Sequence, residues 1–314
     1  MSKDNFKIFS GSSHLALAQE IADCLKIPLG KITLKKFACN ENYVSIQESV
    51  RGKEVFLVQT CTQNVNEDLM ELFIMCDAMH RSFAKKVHVI IPNVGYSRQD
   101  KIHDPREAIS AKLIANLLVH SGTEHVIAMQ LHSDQNQAFF DVPVDNLNPR
   151  RMFAGYFKKK KLENLVIVSP DAGGAKNAKK LADDLGGTLA VLHKNRPRHN
   201  VSETTHVIGD VEGKNVIIYD DMIDTGGSVL SAHAALLKAG ANKEIYLCAT
   251  HAIFSGEAVR KIKTAKFKEV LVTNSVPLPK EKLFPGLAVL SIAPLIAHVV
   301  ENVALEKSVS ELYF

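Results

Sequence analysis

Two hydrophobic patterns alternate along the chain. Short apolar, β-favouring runs lie at 6–9, 54–60, 87–91, 125–129, 165–168, 188–192, 216–219, 244–250, 269–273 and 288–291, with a weaker one at 44–46. Where such a run is unbroken, as over Val216 to Tyr219, it suits a strand buried on both faces of a sheet. Between them, apolar residues at helical spacing predict helices over Leu15–Leu25, Asn66–Arg81, Ser110–His120, Ala175–Leu185, Val229–Ala239 and Pro294–Ala304. The Met- and Leu-rich face of the second helix reads as core. Strand alternating with helix predicts an α/β chain with mainly parallel sheets. Gly52-Lys53-Glu54-Val55-Phe56 resembles Gly213-Lys214-Asn215-Val216-Ile217, a hint of two similar units.

A length of 314 residues favours two domains over one. The best boundary is Asn146 to Arg151, which is polar, holds Pro149 and lacks periodicity. With 46% hydrophobic and 23% charged residues the core needs no staple. Five scattered cysteines without metal spacing read as reduced thiols, and a cytoplasmic setting is expected. The charged amino end does not read as a secretory signal, and no membrane span is expected. A net charge of +4 is too small to argue for nucleic acid, although it suits phosphorylated substrates. Lys158 to Lys161 reads as the solvated end of a helix.

The chemistry concentrates at 216–228. Val216 to Tyr219 is an apolar strand, followed by Asp220 and Asp221, then Asp224-Thr225-Gly226-Gly227-Ser228, then a helix. Strand, acidic pair, small-residue loop and helix is the layout of an anion site at the carboxyl edge of a parallel sheet. The glycines let amides turn toward a phosphate, and Thr225 and Ser228 add hydroxyls. The acids cannot bind that phosphate, so they suit ribose hydroxyls or a cation. Other strand ends carry Tyr96-Ser97-Arg98-Gln99-Asp100-Lys101, where Arg98 offers a fork for phosphate and Lys101 a point charge. Further ends carry Gln130-Leu131-His132 and Ser169-Pro170-Asp171-Ala172-Gly173-Gly174. His193 to Asn200 is cationic, Pro-interrupted and aperiodic, and reads as an exposed mobile loop or lid.

The 216–228 stretch resembles the phosphoribosyl-diphosphate motif of phosphoribosyltransferases and ribose-phosphate diphosphokinases. Nearly the whole chain resembles the second family. The carrying residues are Tyr96 to Asp100, Leu131-His132, Phe139 to Asn146, Val168 to Asp171 with Gly173-Gly174, and Lys194 with Arg196-Pro197-Arg198. Asn200-Val201, Ile208 to Val211, the 216–228 stretch and Ala249-Thr250-His251 with Phe254-Ser255-Gly256 complete the set. The resemblance implies two doubly wound, mainly parallel-sheet domains of phosphoribosyltransferase-like type. These would be an ATP-side domain over 1–148, to which 304–314 returns, and a ribose 5-phosphate domain over 149–303. It implies transfer of the diphosphoryl group of ATP to the 1-hydroxyl of ribose 5-phosphate, giving phosphoribosyl diphosphate and AMP.

Site roles follow from the same resemblance. ATP is expected at Phe37, Cys39, Asn40, Glu41, Arg98, Gln99, Asp100 and Lys101. Magnesium is expected at His132 and Asp171. Lys194 is expected to be catalytic with Arg196, which also meets substrate phosphate. Ribose 5-phosphate is expected at Asp220, Asp221 and Asp224 to Ser228. Ser49, Arg51, Ser82 and Ser310 are candidates for an allosteric phosphate site. A homo-oligomer, a hexamer or its dimer unit, is implied, with no nucleic-acid or membrane partner. Departures from the family pattern are Cys39 for an acid, Gln130 for an Asp, Phe83 for a Ser and Ser228 for a Thr. They motivate a second reading as a non-catalytic regulatory subunit. A plain phosphoribosyltransferase is a third, opposed by the Arg98-Gln99-Asp100 cluster.

Overall fold

The computed structural model describes residues 5–195 and 204–312. The chain forms two compact units. Met1–Asn148, Ser275–Pro277 and Ser291–Phe314 make the first, and Pro149–Asn274 with Leu278–Leu290 make the second.

The first unit runs β1 (Phe6–Ser10), α1 (Leu15–Leu25), β2 (Ile32–Lys36), β3 (Asn42–Ile46), β4 (Glu54–Val58), α2 (Val65–Arg81), β5 (Lys86–Ile91), α3 (Ser110–His120), β6 (His125–Met129) and β7 (Val144–Leu147). Its five-stranded sheet has the order β1-β4-β5-β6-β7, all parallel. Strand β4 shows why an unbroken apolar run is needed. Val55 and Leu57 enter one hydrophobic cluster, while Phe56 stands edge-on to Phe6 and stacks on His88. β2 and β3 form a separate antiparallel hairpin. The last helix, α8 (Ala293–Ala304), belongs to this unit and packs on α1. The return to the first unit therefore begins at Ser291, not at 304, and brings a whole helix.

The second unit runs α4 (Arg150–Lys158), β8 (Leu165–Ser169), α5 (Ala175–Leu185), β9 (Thr188–Asn195), β10 (Thr204–Ile208), β11 (Asn215–Ile223), α6 (Gly227–Lys238), β12 (Ile245–Ala252), α7 (Ala258–Ala265), β13 (Glu269–Thr273) and β14 (Leu287–Leu290). The seven-stranded sheet has the order β10-β9-β8-β11-β12-β13-β14. Only β10 runs antiparallel to its neighbour. Along β11, Val216 and Ile218 enter one cluster, and Ile217 and Tyr219 enter another on the opposite face.

The order β1-β4-β5-β6-β7 corresponds to β8-β11-β12-β13-β14, with helices at matching places. The two look-alike segments of the sequence enter corresponding strands, β4 and β11. Gly52 and Gly213 each make the preceding turn at positive φ, +71° and +63°, where a side chain would be strained.

Five elements lack a clear sequence signal. β2, β7 and β10 are short and mixed in polarity, α4 begins in the polar stretch at Pro149, and α7 is basic on its outer face. His193, Lys194 and Asn195 belong to β9, not to a loop, because β10 pairs with them residue for residue. Among the described residues, no helix is long and apolar enough to cross a membrane, and all five cysteines are free. Burial pushes the Cys61 thiol up to about 12 and that of Cys76 to about 11, so neither is a nucleophile at neutral pH.

Candidate active site

In the second unit the chain leaves β8 for β9 on one side and later returns through β11 on the other. The carboxyl ends of β8 and β11 are thus a topological switch point, where open α/β sheets bind ligands. Asp171 follows β8. Asp220 and Asp221 lie inside β11, which extends through Ile223 and not only to Tyr219. The two loops are built for close approach. A Cβ on Gly174 would come within 2.7 Å of Ser169 Oγ. Gly174 N–H donates to Asp171 Oδ1 at 3.0 Å, and Ser169 Oγ–H donates to Asp171 O at 2.7 Å. Asp221 N–H donates to Asp220 Oδ1 at 2.9 Å. Burial, then the carboxylates of Asp221 and Asp171, push Asp220 well above the ordinary carboxylate range. Three crowded acids are a place for hydroxyl donors or a cation.

The Asp224–Ser228 loop closes this edge. Gly226 sits at φ +79° as the residue before α6. A Cβ there would meet neighbours only at 3.7 Å or beyond, so the backbone angle demands the glycine, not the space. The following amides head into the positive end of α6. A second loop, which composition does not single out, holds this one from behind. Phe254 N–H donates to Ile223 O and Ser255 N–H to Asp224 O, each at 3.0 Å. Lys194 lies near the end of β9, the strand beside β8. Arg196 lies outside the described residues.

In the first unit, Arg98 to Lys101 follow β5 and His132 and Ser133 follow β6, its neighbour. Tyr96, at φ +63°, turns the chain, and Gln99 N–H donates to Tyr96 O at 2.9 Å. The start of α3 then anchors the loop, with Ala111 N–H on Gln99 O and Ser110 Oγ–H on Gln99 Oε1. Arg98, Gln99 and Lys101 line a pocket of about 320 Å³ with His103, Glu107 and Ala108. Glu107 accepts the amides of His103 and Asp104, which lowers its carboxyl. Phe37, Cys39, Asn40 and Glu41 form the tip of the β2–β3 hairpin, with Phe37 half exposed and edge-on to Tyr43 at 5.5 Å. None of these four is among the residues lining that pocket.

Of the residues expected at an allosteric site, Arg51 stacks its guanidinium on the Phe83 ring at 4.3 Å. Ser82 caps α2 beside it, Ser49 is exposed, and Ser310 opens a short 3-10 turn. No described contact joins Ser310 to Arg51.

Similarity to known proteins is extensive. Residues 6–122 match the N-terminal domain of ribose phosphate pyrophosphokinase. Residues 197–314 match the phosphoribosyl synthetase-associated domain. The chain is 45% identical over 312 residues to a ribose-phosphate pyrophosphokinase of Fusobacterium nucleatum, covering 99% of this chain and 98% of that one. It is 46% identical over 309 residues to the Bacillus subtilis protein of the same name, covering 98% and 97%. The chain belongs to the ribose-phosphate pyrophosphokinase family.

The fold agrees. The crystal structure of phosphoribosylpyrophosphate synthetase from Mycobacterium smegmatis superposes with a TM-score of 0.92 at 41% identity, covering 96% of this chain and 99% of that one. The two mainly parallel α/β sheets described above are those of a ribose-phosphate pyrophosphokinase.

Proposed function

We propose that this chain transfers the diphosphoryl group of ATP to the 1-hydroxyl of ribose 5-phosphate, with the work divided between its units. The family membership carries the reaction. The observation that carries the division is that one unit ends its strands in a phosphate-type loop behind crowded acids, and the other in a cationic loop.

Asp224 to Ser228 hold the 5-phosphate through amides, hydroxyls and the end of α6. Asp220 and Asp221 accept the ribose 2- and 3-hydroxyls. A neutral hydroxyl donating to Asp220 suits a carboxylate that burial and its neighbours disfavour as a lone anion. Arg98, Gln99, Asp100 and Lys101 bind ATP, and the hairpin tip at Phe37 to Glu41 meets the adenine. That tip is exposed, and it fits the tip of a second copy completing the site. This is in keeping with a hexamer or its dimer unit.

Magnesium is the expected cofactor. Crowded carboxylates at Asp171 and Asp220 are oxygen donors of the hard type it prefers. Within the second unit, Asp171 would be a ligand. When bound, it neutralises charge on the transferring phosphates. In-line attack at phosphorus spreads charge over non-bridging oxygens, so the protein's part is positioning and cations. Lys194 and Arg196 are the residues that would supply those cations, and water kept from the site cannot take the diphosphoryl group. A cytoplasmic setting is in keeping with the five free cysteines.

The test is AMP release by the purified chain with ATP and magnesium, with and without ribose 5-phosphate. AMP formed only with the sugar supports the assignment. Silence, with stimulation of another active subunit, would leave a regulatory role instead.

A further inference from the structure

The segment after β6 carries a hydrogen-bonded clamp that the reaction chemistry above does not use. Asn136, in the 3-10 turn Asp134–Phe139, is 2% exposed. Its Nδ2–H donates to Ser97 O at 2.8 Å. That bond fixes the amide's orientation and turns Oδ1 toward Ser133 Oγ, 3.3 Å away. Ser133 Oγ–H in turn donates to Asp100 Oδ2 at 2.7 Å. A hydroxyl has one proton, and the charged acceptor at the shorter distance takes it. Asn136 Oδ1 stands by as the second acceptor. If a ligand draws Asp100 away, the Ser133 proton can turn to Asn136 without leaving the half-buried donor unpaired.

The placement gives this clamp its meaning. Ser133 directly follows His132, and Ser97 directly precedes Arg98. The two bonds grip the Arg98–Lys101 loop at both ends, at Ser97 and at Asp100, and tie it to the segment that carries His132. Ser97 is buried and Asp100 half-buried, so the grip lies under the loop and not on its outer surface.

We infer that Ser133 and Asn136 are positioning residues that lock the ATP loop to the magnesium-side histidine, so that ATP phosphates and the metal are engaged together. The inference rests on the reading of Arg98 to Lys101 as ATP-binding. Neither residue touches the reacting atoms. Their effect runs through Asp100 and through the main chain at Ser97 and His132.

Calorimetric titration of ATP into the full chain, without the sugar and with or without magnesium, tests it alongside steady-state kinetics. Ser133→Ala is expected to weaken magnesium-dependent ATP binding by about tenfold, the scale of one hydrogen bond to a charged group. The KM for ribose 5-phosphate should stay near that of the parent, and the magnesium concentration for half-maximal activity should rise. Ser133→Thr, which keeps the hydroxyl, should restore binding. Parent-like ATP binding by Ser133→Ala would overturn the clamp, as would an equal loss for both substrates. Arg98→Ala separates the two layers. If Arg98→Ala loses ATP binding while Ser133→Ala does not, the clamp alone fails. If Arg98→Ala binds ATP like the parent, the ATP-loop reading fails and the clamp with it.

Discussion

His88 and His125 stand ring nitrogen to ring nitrogen, with Nδ1 to Nδ1 at 2.9 Å, across neighbouring strands β5 and β6. Each ring turns its Nε2 to a carboxylate, His88 to Glu54 at 3.3 Å and His125 to Asp145 at 3.1 Å. Lys85 closes the row on Glu54 at 3.0 Å. Only one of the facing Nδ1 atoms can carry a proton, because N–H cannot point at N–H. Burial first, then the charges of His125, Lys86 and Lys85, lower His88 to about 3.

That relationship predicts acid sensitivity. The unfolded chain takes up a proton on His88 near pH 6.5 and the folded one only near 3. The contribution is therefore present in full above about 6.5 and is lost as pH falls through this window. About 2 kcal/mol should disappear between pH 7 and pH 5 from this group alone. Urea midpoints at the two pH values measure it. In His88→Gln the difference should shrink by that amount; an unchanged difference would remove His88 as its source.

The acidic cluster of the second unit predicts a trade between stability and function. Asp220→Asn removes a carboxylate that burial and its neighbours disfavour. Without ligands, the variant's melting temperature should rise by about 2–4 °C, as expected for roughly 1 kcal/mol. Activity with ribose 5-phosphate should fall by about 10²-fold or more, since the hydroxyl acceptor is gone. The pH trend is opposite to that of His88. A carboxyl raised in the fold contributes stability below its unfolded pKa and loses it as pH rises through the folded one. Calorimetry of the ligand-free protein checks both signs, and a lowered melting temperature would contradict the crowding.

Adjacent glycines should behave differently. Gly226→Ala places a side chain at φ +79°, at a cost of about 1–2 kcal/mol, and should raise the KM for ribose 5-phosphate. Gly227 is the first residue of α6 with ordinary φ, and a Cβ there meets only Thr225 Oγ1 at 3.8 Å. Gly227→Ala should leave the melting temperature near that of the parent. Equal destabilisation by both would mean that the loop is shaped by packing and not by the backbone angle.

Much of this architecture is legible in the sequence because both faces of each sheet are covered. Runs such as Val216 to Tyr219 and Val55 to Val58 are then apolar throughout and stand out. The hairpin strand Ile32–Lys36 escapes because only one side of it packs. Strand β9 runs past Leu192, although His193, Lys194 and Asn195 look like a loop by composition; their partner β10 is visible only in three dimensions. At the proposed sugar loop, Asp220 to Ser228 announce themselves by residue type. The buttress at Phe254 and Ser255 acts through main-chain amides, so only the family resemblance, and not residue type, points to it. Ser133 and Asn136 are ordinary polar residues until the turn brings them to Asp100 and Ser97.

The lysine run makes the same point with a prediction attached. Composition reads Lys158 to Lys161 as a solvated helix end. Lys160, however, lies between the Tyr156 and Tyr246 rings, at 4.9 and 5.8 Å, and bonds Glu269 at 2.7 Å. Lys160→Ala should destabilise the protein by about 1–2 kcal/mol by stranding Glu269 and losing the ring contacts. Lys159→Ala should be neutral. Equal midpoints for the two variants in urea would return Lys160 to the solvated class.

The lysine proposed for the chemical step carries a larger expectation. Lys194→Ala should cost about 10²–10³ in turnover, the scale of removing one preorganised donor to a charged transition state. Binding of ribose 5-phosphate should be retained. A loss below about tenfold in single-turnover AMP release would take Lys194 out of the chemical step.

The account stands or falls on where the sugar phosphate sits. A crystal structure of the full chain soaked with ribose 5-phosphate measures this directly. The 5-phosphate is expected against the amides of Thr225 to Ser228, with the ring hydroxyls on Asp220 and Asp221. Density for the sugar at any other place, with this loop empty, would contradict it.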